Sequence, residues 1–254
     1  MIDVHAHYGP TFFPIRTERE AAIVRMMDSY GIDLCIVSSF KGLFYGQPQC
    51  NEEVYEGLRK SQGRLKGYVV ANPNYPEESL ADIERYTKLK EFVGVKLHPA
   101  WHGVPIDDAR YAPILRLCED RNLPILVHSF VSELIGAHLS EPERVAKVAA
   151  HYRCPIILGH LGGNTRRGVE AARGVDHLFV EICGGRQDAD SRSGWTTDRV
   201  ALPVKALGAD RVLFGTDLPL VEPCSSIGII EEAPLSSTDR DKILYKNAKA
   251  LFRL

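Results

Sequence analysis

The chain has 254 residues, 44% of them apolar and 25% charged, with a formal net charge of −2. This length suits one α/β barrel or two small domains, and the composition is globular rather than disordered or fibrous. A near-neutral charge with no basic stripe argues against nucleic acid as a partner, and apolar runs as short as 124–127 argue against a membrane span.

In chain order, a strand pattern at 1–5 is followed by an amphipathic stretch at 18–30, and a strand at 33–38 by a helical pattern at 50–61. Strand 65–71 precedes helix 77–90, which opens on acids and ends on lysines as the helix dipole favours. The alternation continues through strand 92–97, helix 108–121, strand 124–128, helix 141–151, strand 155–159 and a short helix at 167–173. It closes with strand 177–182, helix 197–207, strand 211–215 and helix 238–252. The strand cores read IVSS, GYVVA, VGVKL, ILVH, IILGH, LFVEI and VLFGT. Such runs, with little polar alternation, suit strands buried on both faces of a parallel sheet. Alternating strands and helices at βα-unit spacing predict a right-handed α/β fold. The turn after the first strand lacks the Gly-rich phosphate pattern of an open doubly wound sheet. The expected architecture is therefore a (β/α)8 TIM barrel forming a single domain over 1–254.

The six cysteines are dispersed without a Cys-x-x-Cys pair. Reduced thiols and a cytoplasmic address are expected, since no signal-like leader precedes the first strand. No cysteine has an evident base beside it in sequence, so a thiol nucleophile is not expected.

The active sites of barrels lie at the C-terminal ends of the strands, and the titratable residues gather at those ends. His5 and His7 close the first strand, Lys96 and His98 the fourth, His128 the fifth and His160 the sixth, and Asp217 follows the eighth. Alternate residues of a strand point the same way, so His5 and His7 face the axis together. A lone His-x-His pair is a weak signal, a buried His such as His128 is commonly a core residue, and Asp217 could simply cap a helix. Their convergence on one rim is harder to obtain by chance. It predicts a divalent ion held by His5, His7, His128 and Asp217 with an open position. Zinc is the first choice, and manganese, iron and cobalt are compatible with the same donors. Such an ion lowers the pKa of bound water to about 7.

The opening Ile2-Asp3-Val4-His5-Ala6-His7 resembles that of the amidohydrolase superfamily. The segments Gly94–Pro99, Leu158–Gly163 and Phe214–Asp217, with the ending Ile243–Phe252, resemble its amidohydrolase-2 branch, which includes aminocarboxymuconate semialdehyde and resorcylate decarboxylases. The resemblance spans the whole chain and implies the ligand set just given, with His160 and Asp217 as catalytic acid–base groups. A second ion bridged by a carboxylated Lys96 is the less favoured form. Lys96, His98 and Arg186 are candidate substrate contacts. Arg186 and Arg192, in the long loop after the seventh strand, could clamp an anionic substrate, and Phe12, Phe13, Tyr45, Trp101 and His102 lie in loops that could wall a pocket for an aromatic or cyclic substrate.

The first reading is hydrolysis of an amide, ester or lactone in a small-molecule substrate. It is preferred because the long insertions common in the decarboxylases are missing. The alternative is non-oxidative decarboxylation of an aromatic or unsaturated acid, and a non-catalytic metal-binding barrel is a third reading. Short loops leave room for a second copy of the chain to help close the pocket, so a homo-oligomer is one arrangement the sequence allows.

Overall fold

The computed structural model describes all residues except 11–18, 47–48, 131–135, 164 and 184–195. Eight parallel strands form one sheet in sequence order: β1 (Ile2–Tyr8), β2 (Leu34–Ser39), β3 (Leu65–Val70), β4 (Phe92–Leu97), β5 (Ile125–Val127), β6 (Ile156–Leu158), β7 (Leu178–Glu181) and β8 (Val212–Leu213). The seam between β8 and β1 is closed by backbone bonds. Val4 N–H donates to Phe214 O (3.0 Å), Asp217 N–H to His5 O (2.8 Å) and His7 N–H to Leu218 O (2.8 Å). The chain is thus a (β/α)8 barrel, as the alternation predicts.

Helices flank the strands: α1 (Glu20–Tyr30), α2 (Phe40–Tyr45), α3 (Cys50–Lys60), α4 (Pro76–Tyr86), α5 (Pro99–His102), α6 (Ala112–Asp120), α7 (Pro142–His151), α8 (Thr165–Arg173), α9 (Asp198–Leu207), α10 (Pro223–Glu232), α11 (Ser237–Asp241) and α12 (Asn247–Leu251). The helix expected at 238–252 is three pieces, because a π-helical turn at Lys242–Lys246 separates α11 from α12. Among the described residues no helix is long and apolar enough to cross a membrane.

Strand parity divides the core. Val95, Leu97, Ile125, Val127, Ile156, Leu158 and Val180 join the large cluster under the helices. Ile36, Tyr68, Leu126, Ile157 and Leu213 form a second cluster with Ile2 and Val4. This second cluster fills the barrel floor, where the Tyr68 hydroxyl donates to Val4 O at 2.8 Å. Above the floor the interior turns polar: Ser38, Lys96 and Glu181 continue the inward-facing rows and are fully buried.

Candidate active site

β1 is irregular where it carries the histidines, for its register against β2 shifts between Asp3 and Ala6. Such a bulge re-aims the side chains beside it. Asp3 anchors it from beneath, accepting from His5 N (3.0 Å), from Thr216 N (3.1 Å), from the Thr216 hydroxyl (2.5 Å) and from the Cys35 thiol (3.5 Å). Burial raises its carboxyl to about 7 against those donors. Asp3 therefore ties the first strand to the segment carrying Asp217, and the seam does the same through the main chain.

The seam brings His5, His7 and Asp217 together. Asp217 Oδ1 lies 2.9 Å from His7 Nε2 and 3.8 Å from His5 Nε2. The outer nitrogen of each ring has its own partner: His5 Nδ1–H donates to Glu181 Oε2 (2.8 Å), and the Ser38 hydroxyl sits 3.0 Å from His7 Nδ1. Rings fixed from behind in this way are how metal-binding histidines are usually oriented. Lys96 Nζ donates to His5 Nε2 at 2.8 Å. Burial lowers its pKa to about 8, against the pull of Asp217, Cys183 and Glu181. The cage already surrounds one cation with anionic and imidazole donors, so its donor set suits a divalent ion.

A second group stands beside the first. His160 Nε2 is 3.0 Å from His128 Nδ1, and His160 Nδ1 is 3.3 Å from Cys183 Sγ, which is itself 3.1 Å from His5 Nδ1. Burial holds His5, His98, His128 and His160 well below the usual imidazole range and lowers His7, which leaves neutral nitrogens with lone pairs. Burial likewise keeps the Cys183 thiol well above its ordinary value. The expectation that no cysteine has a base nearby is therefore corrected: barrel closure sets Cys183 against His160, which follows β6.

His160 and Leu161 adopt left-handed backbone at φ 56° and 50°, as does Asp217 at φ 66°. Each such residue costs of order 1–3 kcal/mol, which surrounding structure must offset. Arg199, on α9, does so at the first turn. Its guanidinium donates to Ile182 O (2.9 Å), His160 O (2.9 Å) and Cys183 O (2.8 Å). Glu181 assists by accepting from His160 N at 3.1 Å and from Cys183 N.

Aromatic rings close a circuit around this centre. His7 stacks on Phe40 (centroids 4.7 Å), Phe40 on Phe44 (5.6 Å), and Phe44 meets Trp101 (3.8 Å). Trp101 stacks on His98 (3.7 Å) and His98 on His128 (3.8 Å). Phe130 follows at 5.9 Å, then His160 at 5.4 Å, and His160 returns to His5 at 4.8 Å. Trp101 walls the site as expected. His102 instead points its Nε2 at Gly42 O (3.3 Å). Arg186, Arg192, Phe12 and Phe13 lie outside the described residues, as does the side chain of Tyr45.

Fold and site define an enzyme built on an α/β barrel with a histidine-rich mouth. The chain belongs to the amidohydrolase family, whose model matches residues 2–254. A gamma-resorcylate decarboxylase of Polaromonas sp. (strain JS666 / ATCC BAA-500) is 22% identical over 292 residues, covering 91% of this chain and 86% of that protein. The fold is shared with a dihydroxybenzoic acid decarboxylase from Polaromonas sp. JS666, solved with bound manganese and the inhibitor 2-nitroresorcinol (TM-score 0.76, 21% identity, 100% and 96% of the two chains). It is also shared with a mutant 5-carboxyvanillate decarboxylase from Novosphingobium aromaticivorans DSM 12444, solved with manganese and 3-methoxy-4-hydroxy-5-nitrobenzoic acid (TM-score 0.78, 14% identity, 100% and 97%).

Proposed function

We propose that this chain is a metal-dependent, non-oxidative decarboxylase of an aromatic carboxylic acid, with a divalent ion held by His5, His7, His128 and Asp217. The observation that carries the reading is the buried Lys96 ammonium on His5, beside an aromatic chain that runs from His7 through Phe40, Phe44, Trp101 and His98 to His128: aromatic rings to border a substrate ring, and positive charge for its carboxylate. The order of the two sequence-based readings is reversed. Missing insertions favoured hydrolysis, yet decarboxylases align over 96% and 97% of their own lengths.

When bound, the ion would supply further positive charge against the substrate carboxylate and a neighbouring ring oxygen. His98 is already stacked between Trp101 and His128, so these rings would meet the substrate ring with their edges. Lys96 would orient the carboxylate. Asp217 would pass a proton to the ring carbon as the carbon–carboxylate bond breaks. The bond's electron pair goes to the new C–H bond, and carbon dioxide leaves. His160 relays the replacement proton through its contact with His128.

The test is to load the protein with manganese or zinc and offer hydroxybenzoic acids in heavy water. The expected result is carbon dioxide release with one deuteron at the vacated ring position. Hydrolysis of lactones, esters or amides without any carbon dioxide would reinstate the first sequence reading. Silence on every substrate, with His160→Ala changing nothing measurable, would leave a non-catalytic metal-binding barrel.

A further inference from the structure

We propose that Cys183 is a ligand of the ion in this mouth, its sulfur joining His5, His160 and Asp217. The inference rests on the metal reading above but gives Cys183 and His160 the positions assigned there to His7 and His128, which changes which ion is preferred. One donor atom from each of these four side chains lies within 4.8 Å of every other, and three of the four residues are buried. Donors of a tetrahedral ion at about 2.0–2.3 Å are separated by roughly 3.3–3.8 Å. The cage therefore closes with shifts of about an ångström or less.

The sulfur is aimed rather than merely packed. Cys183 Sγ lies 3.1 Å from His5 Nδ1 and 3.3 Å from His160 Nδ1, and its thiol also bonds the Glu181 side chain. The residue is pinned at both ends of its peptide unit, since Glu181 accepts from its N–H and Arg199 donates to its carbonyl at 2.8 Å. The same segment that fixes Cys183 fixes His160, because both carbonyls share the Arg199 guanidinium.

On coordination the S–H bond breaks, the sulfur's electron pair forms the bond to the ion, and the proton leaves to solvent. Thiolate is a soft donor. It favours zinc, cobalt or ferrous iron over manganese, which prefers oxygen-rich sites. This barrel is therefore selective for a softer ion than the manganese bound by the two decarboxylase structures described above.

The experiment loads the full-length, metal-stripped protein with cobalt(II) and records its absorption, alongside Cys183→Ser. The expected spectrum has a near-ultraviolet sulfur-to-cobalt charge-transfer band in the parent. In Cys183→Ser this band is lost while the visible bands of bound cobalt remain. Zinc affinity relative to manganese should fall at least about tenfold in the variant. If Cys183→Ser does not fold, the parent's spectrum and its zinc-to-manganese preference still decide the matter. Stoichiometric cobalt without the charge-transfer band, or a band that persists in Cys183→Ser, overturns the thiolate ligand and leaves the metal reading standing. Failure to bind cobalt, zinc or manganese overturns both.

Discussion

Lys96 Nζ donates to His5 Nε2 at 2.8 Å in the barrel mouth, so the ammonium takes up the lone pair that the proposed ion would need. Lys96 is fully buried, and burial lowers its pKa from 10.5 to about 8. The sign of the linkage follows. Between those values the unfolded chain binds the proton more readily than the folded one, so stability rises with pH through that window. Lys96→Met removes the dependence. The metal-free variant should gain about 3 kcal/mol at neutral pH, the equivalent of the shift, and lose activity. Urea unfolding at pH 7, 9 and 10.5 measures it; parallel curves for parent and variant would refute the burial argument.

Glu181 holds three donors from three places in the chain: His5 Nδ1, His160 N and Cys183 N. Glu181→Gln keeps the volume and removes the charge that fixes the His5 tautomer. The barrel should fold, and ion affinity should fall about 10–100-fold, the usual cost of losing such a partner. A chelator-competition titration reads the change. Unaltered affinity would mean that His5 is oriented by its strand alone.

A third substitution reaches the same carboxylate from the other side. A methyl group on Gly215 would run into the Glu181 side chain, which is buried and has little room to retreat. Gly215→Ala should therefore reproduce the loss of ion affinity seen in Glu181→Gln, with an added cost of about 1–3 kcal/mol from overpacking. Combining the two substitutions should give much less than the sum of their effects on affinity, because both act through one carboxylate. Full additivity in a double-mutant cycle would separate them.

Much of this site was legible from parity and position. His5 and His7 alternate on one strand, and Lys96 and His98 alternate on another, so period two placed them inward. Glu181 carried a signal that went unread: a lone carboxylate in the apolar run LFVEI must find partners if the strand is buried. Cys183, two residues on, shares its face. Arg199 left no comparable trace, since it acts on backbone carbonyls just past β6 and β7 that only the closed barrel brings within reach. The strand predicted at 211–215 is reduced to Val212–Leu213 because the chain then leaves the sheet to place Asp217 at a left-handed φ. Helix α10 was missed because Pro223, Gly228 and its adjacent serines read as loop, although Pro at the first turn is a common helix start.

Removing the ion should abolish activity without unfolding the protein. The barrel's stability comes from two extensive apolar clusters, one beneath the helices and one on the floor, and neither includes a proposed ligand. The ligands also have partners without an ion: His7 bonds Asp217, His5 bonds Glu181 and Lys96, and His160 bonds His128. A structural zinc domain behaves otherwise, because its fold depends on the metal. Dialysis against a chelator should leave the far-ultraviolet dichroism unchanged and lower the melting temperature by only a few degrees. Re-addition of ion should restore turnover. Ion binding should raise the melting temperature with concentration as mass action requires. Collapse of the dichroism on chelation would instead make the ion part of the core.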